Sequence, residues 1–256
     1  CLLVFCLVGR YMTKPLAVLL LVGGLWLLTG TVRIGDRMTV LDVGQGDSIL
    51  LQSEGGCAVL IDGGSTSRQQ LATYTLLPCL KSRGIKRLDY VFLTHMDADH
   101  ISGVEQILEE MGTSREEVGI ETLVLPAIGN PDQAYARIVS LAGAAGVRVC
   151  TMGDGDRLSV GGFSFLCLHP QKGGIYEDKN AASLVLYLQK DTFSVLLTGD
   201  LDGEAEELFA ERIGQRADRR AQVYADLLPG HVTVLKAGHH GSAASCSEAF
   251  LSLTGP

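Results

Sequence analysis

The pattern of apolar and polar positions changes character once, near residue 30. From Cys1 to Thr29 apolar side chains dominate, Arg10 and Lys14 are the only formal charges, and Pro15 to Leu28 reads PLAVLLLVGGLWLL. A membrane-crossing helix needs ~20 mostly apolar residues. Pro15 to Val32 therefore predicts one span, with Thr29, Gly30 and Thr31 at its interface. Cys1 to Val8 predicts the tail of an earlier span, joined to it by the loop GRYMTK. A chain that opens on Cys, with no basic stretch before its first apolar run, is not patterned as an intact signal peptide. It reads as a piece of a larger membrane protein, with residues 1–32 as membrane segment and 37–256 as a globular domain. Basic residues mark cytoplasmic loops. Arg10 and Lys14 therefore place the loop inside and the domain on the outer face, although Arg33 and Arg37 pull the other way.

Beyond residue 36 short runs rich in Val, Ile and Leu take over. Met38 to Val43, Ser48 to Ser53 and Cys57 to Asp62 predict strands, the last two joined through Glu54-Gly55-Gly56 as a tight hairpin. A helical pattern covers Gln69 to Arg83, a buried-strand run covers Leu88 to Thr94, and Ile101, Val104, Ile107, Leu108 and Met111 return to helical spacing. Further strands are predicted at Glu121 to Pro126, Val147 to Thr151, Arg157 to Val160, Phe163 to Leu168, Ser183 to Gln189, Phe193 to Thr198 and Val232 to Lys236. Helices are predicted at Asp132 to Ala145 and Asp202 to Ile213. Strands outnumber helices and hairpins recur in both halves. That order fits an α/β fold of two packed sheets with helices outside, an αββα sandwich, better than a doubly wound parallel sheet.

The chemistry gathers at strand ends. His95, Asp97, Asp99 and His100 fall within the six positions HMDADH, where a strand stops and a helix begins. Carboxylates crowded into such a turn repel one another unless a cation sits among them. Residues two apart on extended chain share a face, so His95 and Asp97 can address one ion. Asp99 and His100, where the chain turns into the helix, can address a second. Asp200 closes the strand ending Thr198-Gly199-Asp200, where it can bridge two cations or cap the helix that begins near Asp202. Gly238-His239-His240-Gly241 closes another strand with paired imidazoles, and the local sequence leaves open which of them binds. Gln45 and Asp47 lie in a Gly-flanked loop that lines the same edge or simply makes a turn.

HMDADH, TGD and GHHGS, in that order, resemble the successive metal motifs of the metallo-β-lactamase superfamily. More narrowly, LDVGQGDSILL, LIDGG, LLPCLKSRGIKRLDYVFLTHMDADHISG, NAASLVLYL, LLTGD and LKAGHHGS resemble the C-terminal nuclease-like domain of the ComEC family of DNA-uptake channels, over about Met38 to Ser242. The resemblance implies a metallo-β-lactamase fold with one or two divalent ions, Mn²⁺ or Zn²⁺, held by His95, Asp97, Asp99, His100, Asp200, His239 and His240. Asp62 of LIDGG then supports the ligand loop without binding metal itself. Asp99 and Asp97 are the expected catalytic residues, and Gln45, Asp47, Asn180 and Ser183 the expected substrate-facing ones. The implied reaction is hydrolysis of one strand of incoming DNA by metal-activated water. The implied partners are DNA, as a single strand or duplex end, the membrane, and a channel part of the same polypeptide in a multi-pass membrane protein.

Two departures change this picture. Asp97 stands where the superfamily usually has a second His, and Asn180 precedes Ala181-Ala182-Ser183 where many members place a His ligand. The first metal site is thereby poorer in imidazole, and His169 of Leu168-His169-Pro170 is the candidate to compensate. The chain also stops at Pro256, short of the last strand and closing motif that the resemblance implies, so truncation at the C-terminus is expected.

Charge and cysteines narrow the partners. The formal net charge of −8 argues against a broad basic face wrapped around duplex DNA. The basic clusters Lys81, Arg83, Lys86, Arg87 and Arg212, Arg216, Arg219, Arg220 read as solvated helix ends and loops. Seven cysteines, odd in number and without a CxxC pair, read as buried thiols rather than a disulfide framework. Two rival readings remain from the sequence: a metal-dependent hydrolase of a small or cell-wall phosphoester, and a non-catalytic domain that docks DNA.

Overall fold

The strands predicted from apolar runs buried on both sides assemble into two sheets in the computed structural model, which describes residues 18–24, 35–111, 113, 118–228, 230 and 232–256. The first sheet has the order β1 (Arg37–Val40), β2 (Ile49–Gln52), β3 (Ala58–Ile61), β4 (Arg87–Phe92), β5 (Gly119–Pro126) and β6 (Arg148–Met152). Its first three strands form an antiparallel meander, and β3 to β6 run parallel. Parallel neighbours require crossovers. Helix α1 (Leu77–Ser82), entered through a wide turn at Ala72–Leu76, connects β3 to β4. Helices α2 (Ala98–Met111) and α3 (Gln133–Ala144) make the next two crossovers.

The second sheet has the order β11 (Val234–Leu235), β10 (Phe193–Leu197), β9 (Val185–Lys190), β8 (Phe163–His169) and β7 (Arg157–Val160). Strands β7 to β10 are antiparallel, whereas β11 pairs parallel to β10. Helices α4 (Gly203–Gly214), α5 (Arg219–Leu227) and α6 (Glu248–Thr254) belong to this half.

Alternate side chains of one strand leave on opposite faces, and here both faces are covered. Ile49, Leu51, Val59, Ile61 and Phe92 meet Phe165, Leu186, Leu188 and Leu197 between the sheets. Phe92 stacks on Phe165 with ring centroids 4.9 Å apart. Leu50, Leu60 and Val91 instead face α1 and α2, and pack with Leu80, Val104 and Ile107. Leu166, Val185 and Leu196 pack outward against Phe209, Tyr224 and Phe250 of α4, α5 and α6. Four layers result, helix–sheet–sheet–helix. The inner strands read as near-continuous apolar runs because water reaches neither face, whereas the edge strands β1, β6 and β7 keep exposed positions.

Some predicted bounds move. The first strand ends at Val40 because Leu41 to Asp47 leave the ladder to form a loop at the sheet edge. Helices α5 and α6 carry no predicted counterpart, since each buries only two side chains: Ala221 and Tyr224 in one, Phe250 and Thr254 in the other. Residues 36–256 form one unit and 1–35 another. Residues 18–24 are helical, and no helix among the described residues is long and apolar enough to cross a membrane. The predicted span from Pro15 to Val32 lies mostly outside the described residues, as does all of Cys1 to Val8. Cys57, Cys79, Cys150, Cys167 and Cys246 are free thiols.

Candidate metal centre

Topology brings the motifs to one edge. Asp62 follows β3 and the His95–His100 turn follows its parallel neighbour β4, so both emerge at the same end of the first sheet. Asp200 follows β10, and His240 follows β11, which is parallel to it. Asp47 arrives through backbone packing. Its N–H donates to the Asp99 carbonyl at 3.1 Å, its own carbonyl accepts from Gly64 at 3.2 Å, and the His100 carbonyl accepts from Gly63 at 2.9 Å. A Cβ on Gly46, where φ is +148°, would press into the carbonyls of Gly64 and Asp99. One on Gly64 would press into the Asp99–His100 peptide. These contacts explain Gly46 of VGQGD and Gly64 of IDGG: three loops lie backbone on backbone, with no room for side chains between them.

Asp62 is buried at φ +54° and uses both oxygens. Oδ1 accepts from the Thr94 N–H at 2.8 Å. Oδ2 accepts from the Thr94 hydroxyl at 2.8 Å and from His100 Nδ1 at 2.9 Å. With Nδ1 as donor, the ring presents Nε2 to Asp200 Oδ2, 3.1 Å away. Burial alone disfavours a charged His100, but Asp62 and Asp200 outweigh it and push its pKa up to about 10. Burial works against the Asp200 carboxylate too, yet the His100 contact holds it well below the usual carboxylate range. His240 Nε2 lies 3.2 Å from Asp99 Oδ2 and 3.4 Å from Asp200 Oδ2, and its Nδ1 lies 3.7 Å from Asp47 Oδ1.

One ligand atom from each of Asp47, His100, Asp200 and His240 lies within 4.8 Å of the others. Buried polar atoms nearly always have hydrogen-bond partners. Yet His95 Nε2 and Asp200 Oδ1 are buried here without one, while His100 Nε2 meets only the Asp200 carboxylate and Asp47 Oδ2 only the Lys236 ammonium. Oxygen and imidazole donors that converge in this way fit a divalent cation.

Around this group the remaining predicted residues divide. His95 is buried against His100, with ring centroids 4.1 Å apart, and its Nε2 lies 3.6 Å from Asp97 Oδ2. Asp97 Oδ1 accepts from Lys179 Nζ at 2.9 Å. The His95 contact, then Lys179, hold the Asp97 carboxyl well below its ordinary range. Asp99 stands at the open side, bonded to His240. His239 turns away and contacts Asp202 Oδ2 through Nδ1 at 2.6 Å, so His240 alone of the pair joins the group. Both imidazoles sit at positive φ, 41° and 51°, a conformation that side chains other than glycine adopt at a cost.

The expected substrate-facing set separates in the same way. Asp47 belongs with the ligand group, whereas Gln45 is exposed and held through its backbone by Ser67 Oγ at 2.8 Å. Asn180 starts a short turn with its amide donating to Asp178 Oδ1 at 3.0 Å, and its Oδ1 is buried without a partner. Ser183 is fully buried and its Oγ accepts the Asp200 N–H at 3.1 Å, so it positions that carboxylate. His169 stands apart too: Nε2 donates to the Ala181 carbonyl at 2.8 Å, and its ring packs on Tyr176 and Phe209. Residue-type reasoning passed over Lys179 and Lys236. The signal for Lys236 was present in LKAGHHGS, four positions before His240. A cavity of about 200 Å³ adjoins the group, lined by His95, Met96, Asp132, Glu177, Asp178 and Lys179.

An αββα sandwich that gathers carboxylates and imidazoles at one edge is of the metallo-β-lactamase class, and the sequence model of the Metallo-beta-lactamase superfamily matches residues 41–125. The relatives narrow this class. ComE operon protein 3 of Bacillus subtilis (strain 168) is 30% identical over 229 residues, 84% of this chain and 26% of that protein. Recombination protein 2 of Haemophilus influenzae is 30% identical over 221 residues, 86% of this chain and 23% of its own length. Competence protein ComA of Neisseria gonorrhoeae is 28% identical over 244 residues, 95% and 29% respectively. The chain thus belongs to the ComEC family, with matches over 84% to 95% of it, and it spans about a quarter of the length of these relatives.

Proposed function

We propose that this domain is a metal-dependent phosphodiesterase, a nuclease that hydrolyses one strand of DNA entering beside a membrane channel. The convergence of Asp47, His100, Asp200 and His240 within 4.8 Å carries this reading. When bound there, one or two divalent ions, Mn²⁺ or Zn²⁺, supply Lewis acidity toward water and a phosphoryl oxygen. The other residues hold and move protons around that position. Asp62 keeps the His100 Nδ1 proton, so that Nε2 stays available to the centre. Asp99, at the open side beside His240, orients water and takes its proton. Asp97 and His95 extend the donor set toward the cavity, where Lys179 is the ammonium able to meet a phosphate oxygen.

The membrane part of the reading rests on the apolar stretch Pro15 to Val32 and on a relative named for competence. In it, the domain hangs on the outer face, tied to a channel in the same polypeptide. Protease added to intact cells then cleaves the domain, and protection until lysis would reverse the orientation.

One observation favours a small phosphoester as substrate. The cavity carries Asp132, Glu177 and Asp178, and the clustered arginines, which the sequence marks as solvated helix ends and loops, are engaged in ion pairs within the protein. Arg212 and Arg220 meet Asp154, Arg216 meets Asp226, and Arg87 meets Asp89 and Glu121. The test is cleavage of a labelled single-stranded oligonucleotide and of bis(p-nitrophenyl) phosphate by the purified protein with Mn²⁺ or Zn²⁺. Chelator-sensitive cleavage of the oligonucleotide is expected. Turnover of the small diester alone would favour the second reading, and DNA binding without cleavage under any metal would favour a docking module.

A further inference from the structure

The cavity of about 200 Å³ beside the ligand group shares His95 with it. The apolar part of its lining is Met96, Pro126 and Ala182, which are buried, with Ile128 and Tyr176, which are half-buried. Two loops are zipped together to form it. The Gly129 N–H donates to the Gly174 carbonyl at 2.7 Å, and the Gly173 N–H to the Ala127 carbonyl at 2.7 Å. Asn130 spends its amide on the same seam: Oδ1 accepts from the Tyr176 N–H at 3.2 Å, and Nδ2 donates to the Tyr176 carbonyl at 2.7 Å. The Tyr176 side chain is fixed as well, since its hydroxyl accepts from the Gln171 N–H at 2.9 Å and its ring meets His169 edge to face, with centroids 5.3 Å apart. A slot braced in this way loses little freedom when it is filled.

Size and polarity choose the occupant. Pockets that enclose a whole drug-sized ligand measure ~300–1,000 Å³, so this smaller one suits a single planar ring. Asp132, Glu177 and Asp178 also line it. Carboxylates accept hydrogen bonds and donate none, so they repel phosphate oxygens and suit a ligand edge that carries N–H groups. A nucleobase combines such an edge with an apolar face that stacks on aromatic side chains. The cation is at a different place. Lys179 Nζ meets Asp97 Oδ1 at 2.9 Å and Asp132 Oδ2 at 3.4 Å, so it stands between the slot and the predicted ligands His95 and Asp97.

We propose that this slot holds one nucleobase of the strand whose phosphodiester lies at the metal group, with the phosphate toward Lys179, the ring against Tyr176 and Ile128, and the N–H edge on the carboxylates. The proposal rests on the nuclease reading above for the place of the phosphate, and it names the substrate of that site as a nucleotide. A base inside a duplex must leave its stack to enter a pocket. The strand is therefore unpaired where it is cut.

The test is calorimetric titration of the protein, with Mn²⁺ present, by deoxycytidine 5′-monophosphate and by 2-deoxyribose 5-phosphate, which share sugar and phosphate and differ by the base. The nucleotide is expected to bind about tenfold tighter, the gain that stacking one base commonly brings. Ile128→Trp fills the slot and should bring the two affinities within about twofold of each other. Ile128→Ala, which removes one wall, repeats the measurement should the Trp variant fail to fold, and should lower the preference about threefold or more. Equal affinity for the two ligands, including none for either, would overturn the slot, and so would a preference that both variants leave unchanged. Metal-dependent cleavage of diesters would survive either result. A base preference in a protein that cleaves no phosphodiester with Mn²⁺ or Zn²⁺ would instead keep the slot and remove the nuclease reading.

Discussion

His100 and His169 are both almost sealed from solvent, 0% and 8% exposed, yet their surroundings push them in opposite directions. His100 lies between Asp62 and Asp200, which overcome its burial and push its pKa up to about 10. His169 lies between a backbone carbonyl and two aromatic rings, and burial pushes it down to about 4. The imidazole is the same and so is the degree of burial. What differs is the group that faces each ring nitrogen. An imidazole with one nitrogen on a supporting carboxylate and the other aimed at further carboxylates is prepared for a cation. An imidazole satisfied by a main-chain carbonyl in an apolar corner serves packing.

The largest expected effect comes from removing the support under His100. Asp62→Ala leaves the Thr94 amide and His100 Nδ1 without their buried acceptor, and should cost about 3–5 kcal/mol in urea unfolding. A loss below about 1 kcal/mol would mean that Asp62 does not brace this corner.

Metal binding should separate the two corners next. His240→Ala should weaken Mn²⁺ or Zn²⁺ binding about 100-fold, since losing even an outer-shell partner commonly costs 10–100-fold. His169→Gln should leave affinity within about twofold, because no metal donor depends on it. Equal losses in the two variants would bring His169 into the centre and erase the contrast.

Acid should expose the His169 corner. Its folded pKa, about 4, is below the ordinary value of 6.5, so the unfolded chain takes up the proton first. The stability contributed by a neutral, buried His169 is present above pH 6.5 and drains away as pH falls toward 4. Over that window wild type should lose roughly 2–3 kcal/mol more than His169→Gln in unfolding experiments. Parallel pH profiles would show that His169 is free to charge while folded.

Ser183→Ala should have the smallest effect, about 1 kcal/mol, from loss of the acceptor for the Asp200 amide. A modest decline in metal affinity without change in substrate KM would sharpen its positioning role. A change in KM alone would return Ser183 to the substrate.

Local sequence determined a good deal of this protein. Runs such as Ile49 to Leu51 in one sheet and Val185 to Leu188 in the other are apolar at every position, as a doubly covered strand requires, and so announced both sheets. Glycines beside Asp47, Asp62 and Asp200 marked the tight turns where chemistry collects, because backbone sterics act between near neighbours. Other features were decided by contacts between residues far apart in the chain. His239 and His240 share one local sequence, and Asp202 and Asp99 on other segments separate them. Asp47 became a candidate ligand because a backbone ladder from Gly64 and Asp99 carries it there. Ser183 came to hold Asp200 when that turn packed over it, and Lys236 gained its place when β11 paired beside β10. A residue's own neighbours set its backbone. Its partners in charge and hydrogen bonding are set by which strands lie parallel at the same edge, and only the folded chain establishes that.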